Sequence, residues 1–295
     1  MFGCKAYKIA IDAGCTCPNR DGTKGYGGCI FCSQKGSGDF VSDRALSITE
    51  QIESAKERVK DKVYGRSGER EGRFIAYFQN FTSTYGYKTE LVAKYKEALN
   101  CKDVAGLDIA TRPDCIGDDI LNDIAVLARE HFVTVELGFQ TCRDDTGVLI
   151  NRQYTTNDYL DAVKRIKEEC EKAGSRIHIV THVIAGLPGE TQSDFLESVK
   201  TVVKAKSDGI KITVLYVLKN TVLNSMYESG NFKTLSLEEY SKWLIEALKV
   251  LPPEIVVHRV TGDPPKSEIV SPLWTTDKRH VMNYLNKALK DAFTE

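Results

Sequence analysis

An α/β protein built around a parallel sheet is the fold class this sequence predicts, on three observations. Short β-branched runs alternate with amphipathic helical stretches along the 295 residues, most of those runs are apolar on both faces, and no repeat or linker interrupts the alternation. Runs such as "FIAYF", "VTVEL", "IHIVTHVI" and "KITVLYV" have the continuous apolar character of strands covered by helices on both sides. Six or seven such units in one chain suit a barrel or an open partial barrel of right-handed β-α-β units, and periodicity alone leaves a doubly wound sheet open.

Taken in order, strands are expected over residues 8–12, 73–79, 104–111, 132–139, 176–184, 209–217 and 254–260, with helices between them. "SITEQIESAKERVK" opens with Ser47 and carries Glu50 three residues later, the spacing at which each side chain caps the other's backbone amide. "TTNDYLDAVKRIKEECEKAG" stops on Gly174, which accepts the left-handed conformation of a helix C-terminus. "SLEEYSKWLIEALKVLPPE" stops at Pro252 and Pro253, which have no amide hydrogen to continue a helix. The strand ends read "FQNFTSTY", "IATRPD", "ELGFQT", "HVIAGLPGE" and "VLYVLKN". Polar residues and glycines at so many C-terminal ends point to a site at one mouth of the sheet.

The formal net charge of −1 carries no global nucleic-acid signature. Residues 56–73 and 277–280 are locally basic, but the first stretch is interleaved with Glu57, Asp61, Glu69 and Glu71 and reads as a solvated face. No run approaches the roughly 20 apolar residues that span a bilayer, and the opening "MFGCKAYKIAIDAG" lacks the apolar core of a secretory leader. A soluble cytoplasmic protein without a membrane partner is expected.

In a reducing compartment, nine cysteines are better explained by metal binding, nucleophiles or packing than by disulfides. Four of them fall in "CTCPNRDGTKGYGGCIFC": Cys15 and Cys17 as a CxC pair, Cys29 and Cys32 as a CxxC pair. A tetrahedral zinc site would use all four, with CxC as an imperfect first knuckle. A three-thiolate 4Fe-4S cluster would use Cys17, Cys29 and Cys32 and leave one iron open, with the intervening glycines freeing backbone amides to bond the sulfides. Spacing alone leaves both open.

Phe31 before the last cysteine of "CIFC", at the first strand-to-helix connection, resembles the radical S-adenosylmethionine (SAM) superfamily. The wide gap from Cys17 to Cys29 is similar to that of its elongator-like tRNA-modifying branch. The blocks "IDAGCTCPNRDGTKGYGGCIFC", "YFQNFTSTY", "DIATRPDCI", "ELGFQT", "THVIAGLPGET" and "HRVTGDPPKSEIVSPLW" look like one radical SAM family over nearly the whole chain. The resemblance implies a partial (β/α)6-type TIM barrel, with a core over residues 1–220 and a C-terminal extension over 221–295 closing it. It implies an enzyme whose 4Fe-4S cluster, on Cys17, Cys29 and Cys32, cleaves S-adenosylmethionine to a 5′-deoxyadenosyl radical. Cys15, whose position the family fills with an aromatic residue, stays outside the ligand set.

By the same resemblance Phe31 lies near adenine, and Gln79 and Asn80 take the place of the SAM amino-group motif, although the usual Gly-Gly-Glu is absent. Glu136 and Gln140 resemble ribose and amino contacts, Arg152 resembles a carboxylate-pairing arginine, and Ile184 and Gly186 resemble the adenine motif. Each has a plainer reading as an ion pair, strand cap, core residue or turn. His258, Arg259 and Asp263, near the last strand end, are the candidate substrate residues. Members of the family are associated with converting the 5-carboxymethylaminomethyl side chain of wobble uridine toward aminomethyl, which implies a tRNA substrate and an electron donor such as flavodoxin or ferredoxin. The alternatives are a radical SAM enzyme acting on a small molecule and a zinc-stabilised barrel scaffold without redox chemistry.

Overall fold

Seven parallel-type strands form where the apolar runs predict them. The structure, a computed structural model, describes residues 2–36, 41 and 43–294. The strands are β1 (Lys5–Ile11), β2 (Gly72–Phe78), β3 (Val104–Thr111), β4 (Phe132–Gln140), β5 (Ile177–Ala185), β6 (Gly209–Val214) and, after a short β7 (Val217–Leu218), β8 (Val256–Arg259). They make one sheet in the order β1-β2-β3-β4-β5-β6-β8. Parallel register runs from Lys5 opposite Gly72 through Gly106 opposite Phe132, and again from Val180 opposite Gly209. Sequential order with helical crossovers is the topology of a partial β/α barrel with a C-terminal extension.

The crossovers are α1 (Ile48–Tyr64), α2 (Lys88–Asn100), α3 (Asp118–Leu127), the short α4 (Asp144–Leu149) with α5 (Thr156–Ala173), and α6 (Gln192–Lys204). α1 starts as its sequence demands, Ser47 and Glu50 capping each other's amides. The extension adds α7 (Val222–Glu228), α8 (Leu237–Lys249), β9 (Ile269–Ser271) and α9 (Lys278–Phe293). The expected strand over 209–217 breaks after Val214, and the chain resumes as β7, which pairs antiparallel with β9. No helix among the described residues is long and apolar enough to cross a membrane.

The chain divides into two compact units: residues 1–23, 35–137 and 161–179 form one, and residues 24–34, 138–160 and 180–295 the other. In the first, Phe74, Phe78, Leu107, Ile109, Val133 and Val135 are fully buried. In the second, Ile30, Ile150, Leu187, Leu215, Val217 and Leu223 make one apolar cluster. Burying each such side chain contributes about 1.5–3 kcal/mol, so both units have cores able to hold loops in place.

Candidate active site

In the first unit, four successive strands deliver a polar network to one face of the sheet. Lys8 of β1 places its Nζ 2.9 Å from Glu136 Oε1 of β4 and also pairs with Asp108 of β3. Tyr77 of β2 donates its hydroxyl to Glu136 Oε2 at 2.6 Å, and the lysine nitrogen lies 5.4 Å from that ring's centre. The Asp108 and Glu136 side chains are fully buried, whereas that of Lys8 is 34% exposed, so the lysine is the accessible member of the network. Burial works against the lysine's charge, but Glu136 and Asp108 outweigh it and hold Lys8 above the ordinary lysine pKa.

At the ends of β1 and β2 a second network surrounds Asp12. Its backbone N–H donates to Gln51 Oε1 at 2.8 Å, and Asn80 Nδ2 donates to its Oδ2 at 2.8 Å. Asn80 is 8% exposed, and its Oδ1, like Thr82 Oγ1, has no hydrogen-bond partner among the described residues. A buried acceptor left unmet costs about 1–3 kcal/mol, so these oxygens suit a donor that arrives with a ligand. An amino acid's ammonium, such as that of SAM, is such a donor. Gln79 beside them is half-buried, and its backbone N–H donates to Ile11 O at 3.4 Å.

Cys17 lies in this unit, half-buried, with its carbonyl accepting the amides of Arg20 and Asp21 at 2.8 and 3.3 Å. Cys15 is buried, and burial pushes its thiol up to about 11, which disfavours the thiolate that a metal requires.

The second unit carries Cys29 and Cys32, joined by a turn in which the Cys32 amide donates to Cys29 O at 3.0 Å. Ile30 N–H to Ile150 O at 3.1 Å and Asn151 Nδ2 to Gly28 O at 2.8 Å pin this loop. Phe31 and Ile184 are both half-buried and each packs against the same apolar cluster. An aromatic and a branched aliphatic surface on one core suit a flat heterocycle. Gly186 has φ +84°, and a Cβ there would lie 2.9 Å from Leu235 Cγ, so only glycine fits. Gln140, at φ 65°, accepts the Tyr154 hydroxyl on Oε1 at 2.7 Å.

Arg152 is fully buried. Its Nη1 donates to Phe139 O and Thr141 O at 2.7 and 2.6 Å, its Nε to Tyr154 O at 2.9 Å, and its Nη2 reaches Asp144 Oδ1 at 3.0 Å. Those donors bind the turn from β4 into α4 and α5. His258 and Arg259 are exposed on β8, at the sheet's edge, and Asp263 pairs with Lys278 at 2.6 Å.

Among the described residues no three His, Cys, Asp or Glu side chains stand close enough together to hold a metal ion. Cys17 in the first unit and Cys29 and Cys32 in the second are half-buried and in no disulfide, and thiolate donors suit an iron–sulfur cluster or zinc rather than a hard cation. Sequence reasoning singled out Glu136 and Asn80 but missed Lys8, Asp12, Tyr77, Thr82 and Asp108. The available signal was parity: Lys8 and Asp12 fall on the same side of β1 and its extension, as charged residues flanking the apolar run Ile9, Ala10 and Ile11.

Comparison with known proteins gives two family matches, the radical SAM superfamily over residues 17–202 and the radical SAM C-terminal domain over residues 207–291. The uncharacterised protein YtqA of Bacillus subtilis is 39% identical over 290 residues, 98% of this chain and 86% of its own length. Elongator complex protein 3 of Dictyostelium discoideum is 26% identical over 183 residues, 60% of this chain and 31% of its own. A tRNA-2-methylthio-N(6)-dimethylallyladenosine synthase from Alkaliphilus oremlandii is 24% identical over 185 residues, 60% of this chain and 37% of its own. Among solved structures, the archaeal Methanocaldococcus infernus Elp3 superposes with a TM-score of 0.68 at 18% identity, covering 96% of this chain and 63% of that one. That likeness is one of fold.

Proposed function

This chain belongs to the radical SAM superfamily, and we propose that it modifies tRNA, converting the 5-carboxymethylaminomethyl side chain of wobble uridine toward aminomethyl. It is a radical SAM enzyme whose cofactors are a 4Fe-4S cluster and S-adenosylmethionine, which sets aside the zinc scaffold. When bound, those cofactors supply a hydrogen-abstracting radical from one electron and a sulfonium. Such a radical suits the methylene between amine and carboxylate, whose hydrogen is too weakly acidic for a side-chain base. The electron would come from a donor such as flavodoxin or ferredoxin.

The observation that carries the tRNA reading is the match over 60% of the chain to a synthase named for its tRNA product. Exposed aromatics beside lysines support it: Tyr26 is 78% exposed two residues from Lys24, and Tyr87 is 79% exposed next to Lys88. Such pairs suit stacking on unpaired bases beside phosphates.

Within this reading Cys17, Cys29 and Cys32 hold the cluster. Asn80 Oδ1 receives the SAM ammonium with Gln79 alongside, and Phe31, Ile184 and Gly186 form the adenine shelf. Glu136, held by Lys8 and Tyr77, and Gln140, held by Tyr154, contribute ribose and amino contacts. Arg152 works as a positioning residue: its donors are spent on the turn that carries Gln140, so it shapes the pocket wall. His258, Arg259 and Asp263, on the extension over residues 221–295, face the substrate.

The test is anaerobic reconstitution with iron and sulfide, then dithionite, SAM and tRNA bearing the carboxymethylaminomethyl group, with Cys29→Ala as control. Cys29-dependent 5′-deoxyadenosine together with an aminomethyl nucleoside in the tRNA digest supports the proposal. Cys29-dependent 5′-deoxyadenosine with unchanged tRNA would leave a radical SAM enzyme acting on a small molecule.

A further inference from the structure

Arg112 follows the last residue of β3 and is 7% exposed. One edge of its guanidinium clamps Asp114, Nε to Oδ1 at 3.0 Å and Nη2 to Oδ2 at 2.9 Å. In a planar fork that commitment aims the remaining corner away from the carboxylate, and Nη1 lies 3.9 Å from the Sγ of Cys17. Both partners are held from behind. The Asp114 side chain is 5% exposed and sits in a single 3-10 turn, Pro113–Cys115, with proline at its first position. The Cys115 carbonyl accepts from Thr84 Oγ1 at 2.7 Å, and Cys17 is fixed by the two amides on its own carbonyl. A buried arginine–aspartate pair adds little net stability over an apolar turn of the same shape, so stability alone does not account for a guanidinium here. Its reach to a thiol does.

We propose that Arg112 is a positioning residue for the iron–sulfur cluster: its Nη1–H donates to the Cys17 sulfur and places a fixed positive charge beside it, making the cluster easier to reduce. The inference rests on reading Cys17 as a cluster ligand. Hydrogen bonds to ligating sulfurs and nearby charge are two of the levers by which a protein sets a cluster's potential. One-electron reduction adds a negative charge, which a neighbouring guanidinium stabilises; the electron comes from the external reductant. Asp114 orients the arginine and partly offsets its charge, so the two residues act on the potential with opposite signs.

The experiment is a redox titration of the reconstituted full-length protein followed by the paramagnetic signal of the reduced cluster. Arg112→Gln should shift the midpoint to more negative values, Arg112→Lys should shift it less, and Asp114→Asn should shift it to more positive values. A loop merely disturbed by substitution would move Arg112→Gln and Asp114→Asn in the same direction, and that result would overturn the proposal. So would an Arg112→Gln protein with full iron content and an unchanged midpoint. If Arg112→Gln holds no cluster, the opposite signs expected of Arg112→Lys and Asp114→Asn decide the matter. Cys17→Ala separates the two levels: a cluster assembling there with full iron content would remove Cys17 from the ligand set and the Arg112 proposal with it. Loss of the cluster in Cys17→Ala alongside an unchanged Arg112→Gln midpoint would remove the second alone.

Discussion

At the scale of single residues, the thiols sort by burial. Cys17, Cys29 and Cys32 are half-buried on turns, while Cys15 is buried and its thiol is pushed up to about 11. Alanine at any of the first three should abolish the reconstituted cluster's visible absorbance and bound iron, while Cys15→Ala should retain both. Lys8 is different in kind, because its charge stabilises two buried carboxylates. Replacing it with methionine should cost roughly 2 kcal/mol, less than for a fully buried pair because the lysine is partly exposed. Its pKa is raised in the folded chain, so this stabilisation is complete below the ordinary lysine value of 10.5 and fades as pH rises through the folded value. The melting-temperature gap between wild type and Lys8→Met should therefore be constant near neutrality and narrow only at strongly alkaline pH.

Among the elements, legibility followed the length of the signal. β3 forms over Val104–Thr111, the range its apolar run predicts, and α1 carries the capping box that Ser47 and Glu50 announce. Ser47→Ala should cost about 1 kcal/mol and lower the melting temperature by a few degrees, with cluster content unchanged. The β7–β9 pair was not legible, since strands of two and three residues are too short to show a period of two. Arg152 stood out in sequence as a candidate ligand-binding arginine, yet its bonding was hidden, because three of its four partner atoms are backbone carbonyls, which leave no mark on sequence. Gly147 of α4 is tied to the same feature: a Cβ there would lie 2.9 Å from Arg152 Nη2. The asparagine-and-threonine end of β2 was visible as a polar strand end, but only the structure separates Asn80's bonded Nδ2 from its open Oδ1.

Across the whole molecule, charge limits how an RNA substrate could be held. With a formal net charge of −1 the chain has no field to gather a polyanion, so affinity must come from local lysines and from stacking. Tyr87 tests that division: it is 79% exposed, and its neighbour Lys88 pairs at 3.4 Å with Asp123, itself partly exposed. Aromatic stacking on an unpaired base contributes about 1–3 kcal/mol. Tyr87→Ala should therefore weaken binding of the proposed tRNA substrate about tenfold while leaving the melting temperature within a degree or so, since an exposed ring supports no core. Lys88→Ala should instead flatten the dependence of log affinity on log salt, by about one counterion. Filter binding of the reconstituted enzyme across a salt series reads both effects at once. Binding that is absent, or insensitive to salt and to both substitutions, would remove tRNA as the substrate and turn the search to small molecules.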